Sequence, residues 1–329
     1  MARATAIEAA IGVDVGGTGT KAGIVTRTGD VLLHEEQPTD INAGTKGILF
    51  VVDELLRRAG DVDAEVTAVG VGAAGFIDAT AGAVTFAPNM IYDDPQIAAA
   101  LYSRTGLPVV IDNDANAAAW GERTFGTARG SNHLVLVTVG TGIGGGIIEG
   151  GRLVRGYTGA GAELGHVVVE RDGAQCGCGL RGCIEQYASG QAIARMAREA
   201  VHDDPGSTIL AFADTPESIT ARDVARAARQ LDQTARAVMR TAGTYLGICM
   251  SNIANLFDPE TIVLAGNVIR AGEPFLGPAR DTLVAMTNSQ RRRPVRLDAT
   301  IMGPRAGMIG AAALAFDEAA IPAAARKTT

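Results

Sequence analysis

A buried strand that leads directly into a glycine turn occurs twice in this 329-residue chain, and this repetition constrains the fold most strongly. The first strand, residues 11–15, precedes the turn Gly16-Gly17-Thr18-Gly19, and the second, residues 134–139, precedes a glycine-rich turn predicted over residues 138–146. Another strand follows each turn, at residues 22–25 and from Ile147 onward. Two copies of one strand–turn–strand unit predict two related lobes with a cleft between them.

The elements around these units alternate between strand and helix. Helical spacing of apolar residues predicts helices at residues 48–58 and 96–104, and buried strands are predicted at 66–71 and 109–111. This order is typical of an α/β sheet that is covered on both faces. Beyond Gly190 the chain is mainly helical, with predicted helices at residues 192–201, 221–231, 234–256 and 308–320 and one late strand at 262–264.

Composition excludes several classes of partner. The chain is 47% apolar and 20% charged, as is ordinary for a globular protein. Its net charge of -7 gives no reason to expect nucleic acid or an acidic membrane as a partner. No stretch approaches the roughly 20 continuous apolar residues of a membrane helix, and the first residues lack the order of a signal peptide. We therefore expect a cytoplasmic protein that binds neither nucleic acid nor membrane.

The first glycine turn has the composition of a phosphate site. Glycines let backbone N–H groups approach phosphate oxygens closely, and Asp14, Thr18 and Lys21 add a carboxylate, a hydroxyl and a cation. Together these groups can hold a Mg²⁺-bound triphosphate. The alternative is a plain hairpin turn, which the second glycine turn makes less favourable. Because the pattern is not GxxxxGK[ST], a P-loop enzyme is not predicted.

Four polar residues follow the strand at 109–111 within the run Asp112-Asn113-Asp114-Ala115-Asn116. In an α/β sheet, ligands bind at this end of the strands. A carboxylate there can accept a proton from an attacking hydroxyl, and Asn113 can donate to and accept from a sugar. The alternative is helix capping, since Asp and Asn are favoured N-caps. We expect one of the four to be a cap and at least one to act in function.

Three of the four cysteines lie close together after a histidine, in the segment from His166 to Cys176, Cys178 and Cys183. In a reducing compartment this spacing favours a metal site over disulfides, and a closed Cys₃His set is typical of structural Zn²⁺. The alternative is a group of reduced, buried cysteines. Glu163 and Glu185 flank the ligands, and a zinc that orders the loop would fix both carboxylates as acceptors for sugar hydroxyls.

Taken together, these motifs resemble the ROK family (repressors, open reading frames, kinases), closest to its bacterial glucokinase branch. The resemblance rests on Asp14 to Thr18, Asn113-Asp114, the turn from Gly140 to Gly146, the Glu163/His166 pair and the cysteines, and it runs from about Ile11 to Ala320. It implies the two-lobed, actin-like (ribonuclease H-like) ATPase fold with a central cleft. Residues 1–118 and 308–329 would form a small lobe, and residues 119–307 a larger one that carries the zinc loop at 163–185.

The resemblance also implies roles. Asp114 resembles the general base for a hexose 6-hydroxyl that attacks the γ-phosphate of ATP. The residues implied to hold the other sugar hydroxyls are Gly75, Asn89, Asn113, Glu163, His166 and Glu185. Those implied to hold the phosphates and water-coordinated Mg²⁺ are Asp14, Gly16, Gly17, Thr18, Thr141 and Gly142. Glucose is the expected sugar, and members of the family are commonly homodimers or homotetramers.

Two positions depart from the family pattern. The adenosine site commonly has three glycines where this chain reads Ala265-Gly266-Asn267, so Gly266 keeps only one close backbone approach. Lys21 stands farther from Thr18 than in the glucokinase branch. Alternative acceptors are N-acetylmannosamine, mannose or fructose, and polyphosphate is an alternative donor. A non-catalytic, sugar-sensing regulator is disfavoured, because only ten residues precede the first strand and leave no room for a DNA-binding module.

Overall fold

The computed structural model describes residues 6–17, 19–42, 44–87, 90–287 and 293–319 and is an α/β protein with mixed sheets. Contacts within the chain divide it into two compact units. Unit 1 comprises Met1–Asn132, Gly146–Ala162 and Ile301–Thr329, and unit 2 comprises His133–Gly145 and Glu163–Thr300. No helix in the described ranges is both long and apolar enough to cross a bilayer.

The main sheet of unit 1 has the strand order β3-β2-β1-β4-β7. Its strands are β1 (Ile7–Val15), β2 (Gly19–Thr26), β3 (Val31–Pro38), β4 (Ala64–Ala73) and β7 (Val109–Asn113). Strand β2 is antiparallel to both β1 and β3, whereas β1, β4 and β7 are parallel to one another. The centre of β1 is fully buried, as expected for a strand covered on both faces. A small hairpin, β5 (Phe76–Asp78) and β6 (Ala83–Phe86), was not predicted.

Among the described residues, unit 1 has four α-helices: α1 (Gly44–Arg58), α2 (Ile97–Thr105), α3 (Asp114–Thr124) and α9 (Ala306–Glu318). Helix α9 is buried along Ala306–Ala315, which its Ala- and Gly-rich sequence permits. It lies so close to the sheet that a Cβ on Gly12 would be 2.0 Å from the Met308 carbonyl oxygen, and one on Gly70 would be 1.8 Å from that of Ala311. Glycine at these two positions therefore allows the backbones of helix and sheet to touch.

The second five-stranded sheet has the order β10-β9-β8-β11-β12. Its strands are β8 (Leu134–Val139), β9 (Ile143–Glu149), β10 (Arg152–Leu153), β11 (Thr261–Ala265) and β12 (Arg296–Ala299). Strand β11 is parallel to both β8 and β12. The helices of unit 2 are α4 (Glu185–Ala188), α5 (Gly190–Asp203), α6 (Ala221–Arg229), α7 (Gln233–Phe257) and α8 (Glu273–Met286).

The second glycine turn is shorter than predicted. We expected the turn to extend to Gly146, but β9 already begins at Ile143. The glycines inside β9 serve close packing: a Cβ on Gly145 would be 2.3 Å from Cδ1 of Leu164, and one on Gly146 would be 2.7 Å from the Ala115 carbonyl oxygen. Only the first part of the glycine run therefore forms a turn.

Candidate active site and metal centre

Asp14 lies near the end of β1 in a row of charged residues. It is registered opposite Lys21 on β2, and Lys21 is registered opposite Glu36 on β3. The Lys21 Nζ atom is 3.6 Å from Oε1 of Glu36. Burial, followed by the negative charge of Asp114, raises the pKa of Asp14 to about 7, and Lys21 opposes this shift. The carboxylate is thus held in a position where a bound cation would relieve an unfavourable charge.

The first glycine turn follows Asp14 directly. The Gly16 N–H donates to the Gly19 carbonyl over 3.1 Å, and the Thr39 hydroxyl donates to the Gly16 carbonyl over 2.7 Å. Gly17 is exposed, and a Cβ there would meet no atom within 4 Å. Thr18 lies outside the described residues. The turn is therefore fixed at its base while Gly17 remains open to a ligand.

Asn113 is the N-cap of α3, so the capping alternative is correct for this residue. Its Oδ1 atom accepts from the N–H groups of Ala115, at 2.9 Å, and Asn116, at 3.2 Å. Its Nδ2 atom donates to the Gly75 carbonyl over 3.2 Å. Capping uses the oxygen, the bond to Gly75 uses one amide hydrogen, and Nδ2 carries a second hydrogen. The predicted contact of Asn113 with a sugar stays a prediction, limited to that donor.

Asp114 is the first residue of α3 and lies directly after β7. Burial raises the pKa of its carboxyl, although the Ala115 N–H donates to Oδ1 over 2.9 Å and lowers it in part. The charge of Asp114 also contributes, after burial, to raising the pKa values of Asp14 and Tyr92. Two carboxylates with raised pKa values in mutual electrostatic reach are typical of a functional site.

Asp112 has a structural role that the sequence analysis did not assign. This residue is 2% exposed and accepts from the Asn113 N–H at 2.8 Å, from Nδ2 of Asn116 at 2.9 Å and from Nε of Arg155 at 2.6 Å. Arg155 also donates to Glu318 on α9 over 2.6 Å. This network anchors the start of α3. Arg155 lies in no motif, so no sequence signal pointed to it.

Gly75 and Asn89 were the other predicted sugar contacts of the first unit. Gly75 has φ of +129°, and a Cβ there would be 2.6 Å from the Phe86 carbonyl oxygen. Glycine is thus required by the backbone whatever ligand it contacts. Asn89 lies outside the described residues.

The predicted metal ligands come together in unit 2. The ligand atoms of His166, Cys176, Cys178 and Cys183 all lie within 4.8 Å of one another. Nδ1 of His166 is 3.7 Å from Sγ of Cys176, and Sγ of Cys178 is 3.6 Å from Sγ of Cys183. Bonds of about 2.3 Å to sulfur and 2.0 Å to nitrogen give tetrahedral edges of roughly 3.5–3.8 Å. These two distances match such edges, and the four side chains form a candidate metal centre.

Backbone hydrogen bonds shape the loop around these ligands. The Cys176 N–H donates to the Leu180 carbonyl over 2.8 Å, and the Val169 N–H donates to the Gly182 carbonyl over 2.9 Å. Gly182 has φ of +76°, and a Cβ there would be 1.6 Å from the Glu170 carbonyl oxygen. The glycines interspersed among the cysteines thus allow the sharp turns that bring the sulfur atoms together.

The second glycine turn closes on itself between β8 and β9. The Gly140 N–H donates to the Gly142 carbonyl over 2.9 Å, while Thr141 is exposed. Oε2 of Glu185 accepts from the Ile143 N–H over 3.0 Å. Gly266, at φ of +93°, lies against the Val139 carbonyl, which is 2.3 Å from where its Cβ would be. In this structure the Glu185 carboxylate is therefore engaged by the turn.

Each unit brings together one part of the predicted site. Unit 1 contains Asp14, Gly16, Gly17, Lys21, Gly75, Asn113 and Asp114. Unit 2 contains Thr141, Gly142, Glu163, His166, Glu185, Gly266 and the three cysteines of the metal cluster.

Comparison with known proteins identifies the family. The model of the ROK family matches residues 10–318, so the chain belongs to the ROK family, as the sequence resemblance predicted. A glucokinase of Streptomyces coelicolor is 39% identical over 309 residues, which cover 93% of this chain and 96% of that protein. A glucokinase of Thermotoga maritima is 37% identical over 305 residues, covering 92% and 96%.

A solved structure extends the similarity to the fold. The crystal structure of a ROK family glucokinase from Streptomyces griseus in complex with glucose and AMPPNP matches with a TM-score of 0.81 at 39% identity, covering 94% of this chain and 99% of that chain. The chain accordingly has the α/β actin-like ATPase fold, and this prediction is confirmed.

Proposed function

We propose that this protein is an ATP-dependent glucokinase that transfers the γ-phosphate of ATP to the 6-hydroxyl of glucose. The observation that carries the proposal is the half-buried Asp114 carboxylate, which has a raised pKa and lies at the junction of β7 and α3. Similarity to glucokinases over more than nine-tenths of the chain supports the substrate and the donor.

Asp114 acts as the general base. A carboxylate whose pKa is raised by desolvation is a stronger base than an exposed one, which suits it to take the proton of the 6-hydroxyl as that oxygen attacks phosphorus. The Ala115 N–H bond and the Asn113 cap fix the carboxylate at the start of α3. Positioning and charge stabilisation account for most catalysis of phosphoryl transfer, so this rigidity matters as much as basicity.

The two glycine turns hold the phosphates. Gly17 and Thr18 at the first turn and Thr141 and Gly142 at the second would offer backbone N–H groups and hydroxyls to phosphate oxygens. Gly16, whose N–H donates to the Gly19 carbonyl, would contribute a close backbone approach. Asp14 would hold Mg²⁺ through water, and a bound Mg²⁺ would neutralise charge on the phosphates. Lys21 provides a nearby cation. Gly266 permits close approach of the adenosine.

The remaining predicted contacts hold the sugar: Gly75, Asn89, Asn113, Glu163, His166 and Glu185. Because Nδ1 of His166 faces the thiol of Cys176, its Nε2 is the ring atom for a sugar hydroxyl. We propose that the Cys₃His set binds a structural Zn²⁺. A closed set of four ligands leaves no open position for water, so the zinc would organise the loop and take no part in the chemistry.

We further propose a cytoplasmic location and a homodimeric or homotetrameric assembly. The four cysteines form no disulfide bonds, which fits a reducing compartment. Size-exclusion chromatography with light scattering measures the assembly, and a monomer at micromolar concentration contradicts it.

A coupled ADP-release assay with ATP as donor, and a mass-spectrometric assay of the sugar phosphate with polyphosphate as donor, test the function. Glucose, mannose, fructose, N-acetylglucosamine and N-acetylmannosamine are compared as acceptors, with ATP and polyphosphate as donors. We expect the highest kcat/KM for glucose with ATP. A higher kcat/KM for another hexose would change the assigned acceptor, and turnover of none of the sugars would overturn the kinase assignment.

A further inference from the structure

The segment just past the last metal ligand reaches the second glycine turn. Glu185 lies two residues after Cys183, and its Oε2 atom accepts a hydrogen bond of 3.0 Å from the Ile143 N–H. A Cβ on residue 142 would lie 2.2 Å from the same oxygen and 3.2 Å from Cδ of Glu185. The carboxylate thus occupies the space that a side chain at position 142 would need.

Two backbone contacts from the same segment reach the turn. The Gly190 N–H, at the start of α5, donates to the Gly140 carbonyl over 2.8 Å, and the Gln191 N–H donates to the Thr141 carbonyl over 3.4 Å. A Cβ on Gly190 would be 2.9 Å from the Gly140 oxygen. Residues 185–191 therefore form three hydrogen bonds with the turn and the first residue of β9.

These contacts engage some of the backbone hydrogen-bonding groups of the turn and leave others. The carbonyls of Gly140 and Thr141 and the N–H of Ile143 are engaged, as is the Gly140 N–H. Within the described part of the chain, the N–H groups of Thr141 and Gly142 have no acceptor. They are the donors that remain for a phosphate.

We propose that Glu185 is a positioning residue for the phosphate turn, in addition to any contact with sugar. Its carboxylate fixes the Ile143 N–H, so that the donors of Thr141 and Gly142 are set before nucleotide binds. Position 142 is glycine because Glu185 fills the space beside it. This inference rests on the proposed function, because it takes Mg²⁺–nucleotide as the ligand of the turn.

Two variants of Glu185 separate its hydrogen bond to Ile143 from its proposed contact with sugar. The amide oxygen of Glu185→Gln can still accept from Ile143, whereas Glu185→Ala has no acceptor. In the absence of sugar, we expect Glu185→Gln to bind Mg²⁺–AMPPNP within about twofold of the wild type and Glu185→Ala to bind on the order of tenfold more weakly. Calorimetry on the sugar-free, zinc-loaded protein measures both.

A carboxylate elsewhere on the metal loop serves as the matched control. Oε2 of Glu170 accepts from the Tyr245 hydroxyl over 3.3 Å, on α7 rather than at the turn. Glu170→Gln and Glu170→Ala are expected to leave nucleotide affinity unchanged. Zinc content is measured for every variant, and a loss of affinity that accompanies loss of zinc contradicts a local role.

Gly142→Ala supplies a second, independent test. It should weaken nucleotide binding several-fold more in the wild-type background than in Glu185→Ala, because the clash is with the carboxylate. Equal effects in both backgrounds overturn the proposal, as does equal nucleotide affinity of Glu185→Ala and the wild type. If the wild-type protein itself binds no Mg²⁺–nucleotide, the proposed function fails instead.

Discussion

Replacing Asp14 by asparagine should stabilise the folded protein while abolishing its activity. Burial and the Asp114 charge raise the pKa of Asp14 from 3.8 to about 7. The folded state thus disfavours the charged carboxylate, and no such penalty exists in the unfolded chain. Asparagine is neutral at every pH and removes the penalty, but it also removes the charge proposed to attract hydrated Mg²⁺.

The sign and size of this stabilisation follow from the difference between the pKa of Asp14 in the folded and in the unfolded chain. Below pH 3.8 the carboxyl is protonated in both states and costs nothing, between pH 3.8 and about 7 the cost grows, and above pH 7 it is constant. At 1.36 kcal/mol per pKa unit, the plateau is roughly 4 kcal/mol, against about 2 kcal/mol near pH 5.5. The stabilisation by Asp14→Asn should therefore be about 2 kcal/mol larger near pH 8.5 than near pH 5.5.

Scanning calorimetry without Mg²⁺ or nucleotide measures this difference. An additional 2 kcal/mol corresponds to a rise in Tm of about 4–8 °C for a unit of this size. Asp61→Asn, at an exposed position, is the control and should change Tm little at either pH. If the gain in Tm for Asp14→Asn is equal at the two pH values, or larger at the lower one, the assigned environment of Asp14 is wrong.

Three further changes have defined outcomes. Asp114→Asn should fold and bind glucose in calorimetry but lose at least about 100-fold in kcat in the coupled assay, and near-normal turnover would exclude it as the base. Metal analysis of chelator-free protein should find about one zinc per chain. Cys183→Ser should reduce the zinc content, whereas Cys249→Ala, at a buried position of α7, should not. Absence of zinc from the wild type would contradict the metal site. Gly70→Ala should lower the free energy of unfolding by at least about 2 kcal/mol, because its Cβ would lie 1.8 Å from the Ala311 carbonyl oxygen. The control is Gly60→Ala, whose Cβ would have no atom within 4 Å and which should change this free energy by less than about 1 kcal/mol. Denaturant titrations measure both.

Most of the fold could be predicted because burial and periodicity agree. Apolar runs predicted the strands β1, β4, β7, β8 and β11, each of which is largely or wholly buried. Helix α8 and strand β12 were not predicted. Pro278 interrupts the helical pattern of α8, and β12 is a short edge strand of mixed polarity, so neither has a periodic apolar signal.

The metal cluster could be predicted because ligand chemistry is local. Three cysteines and a histidine within one loop needed only glycine turns to meet, and the structure places their ligand atoms together. Asn113 shows the opposite case. Its sequence position suited a cap and a sugar ligand equally, and only the hydrogen bonds to Ala115 and Asn116 established the cap.

Other features depend on contacts between distant segments. The Asp112–Arg155–Glu318 network joins β7 to residues far along the chain, so no spacing could indicate it. The sequence predicts a turn for the whole second glycine run, because glycine in a closely packed strand has the same sequence signature. Gly145 against Leu164 shows that packing, not phosphate binding, determines part of the run.

Unit 1 is built from three separated segments of the chain, and this determines when it can fold during synthesis. Its last segment begins at Ile301, so β1 and β4 leave the ribosome long before the helix that covers them. Unit 2 is complete in sequence by Thr300. Because domains form as their residues emerge, the nascent chain can complete unit 2 first and must keep the face of Gly12 and Gly70 uncovered until α9 has been synthesised. A premature stop codon before Ala306 would leave that face permanently exposed. Chaperones and proteases would then act on the truncated chain.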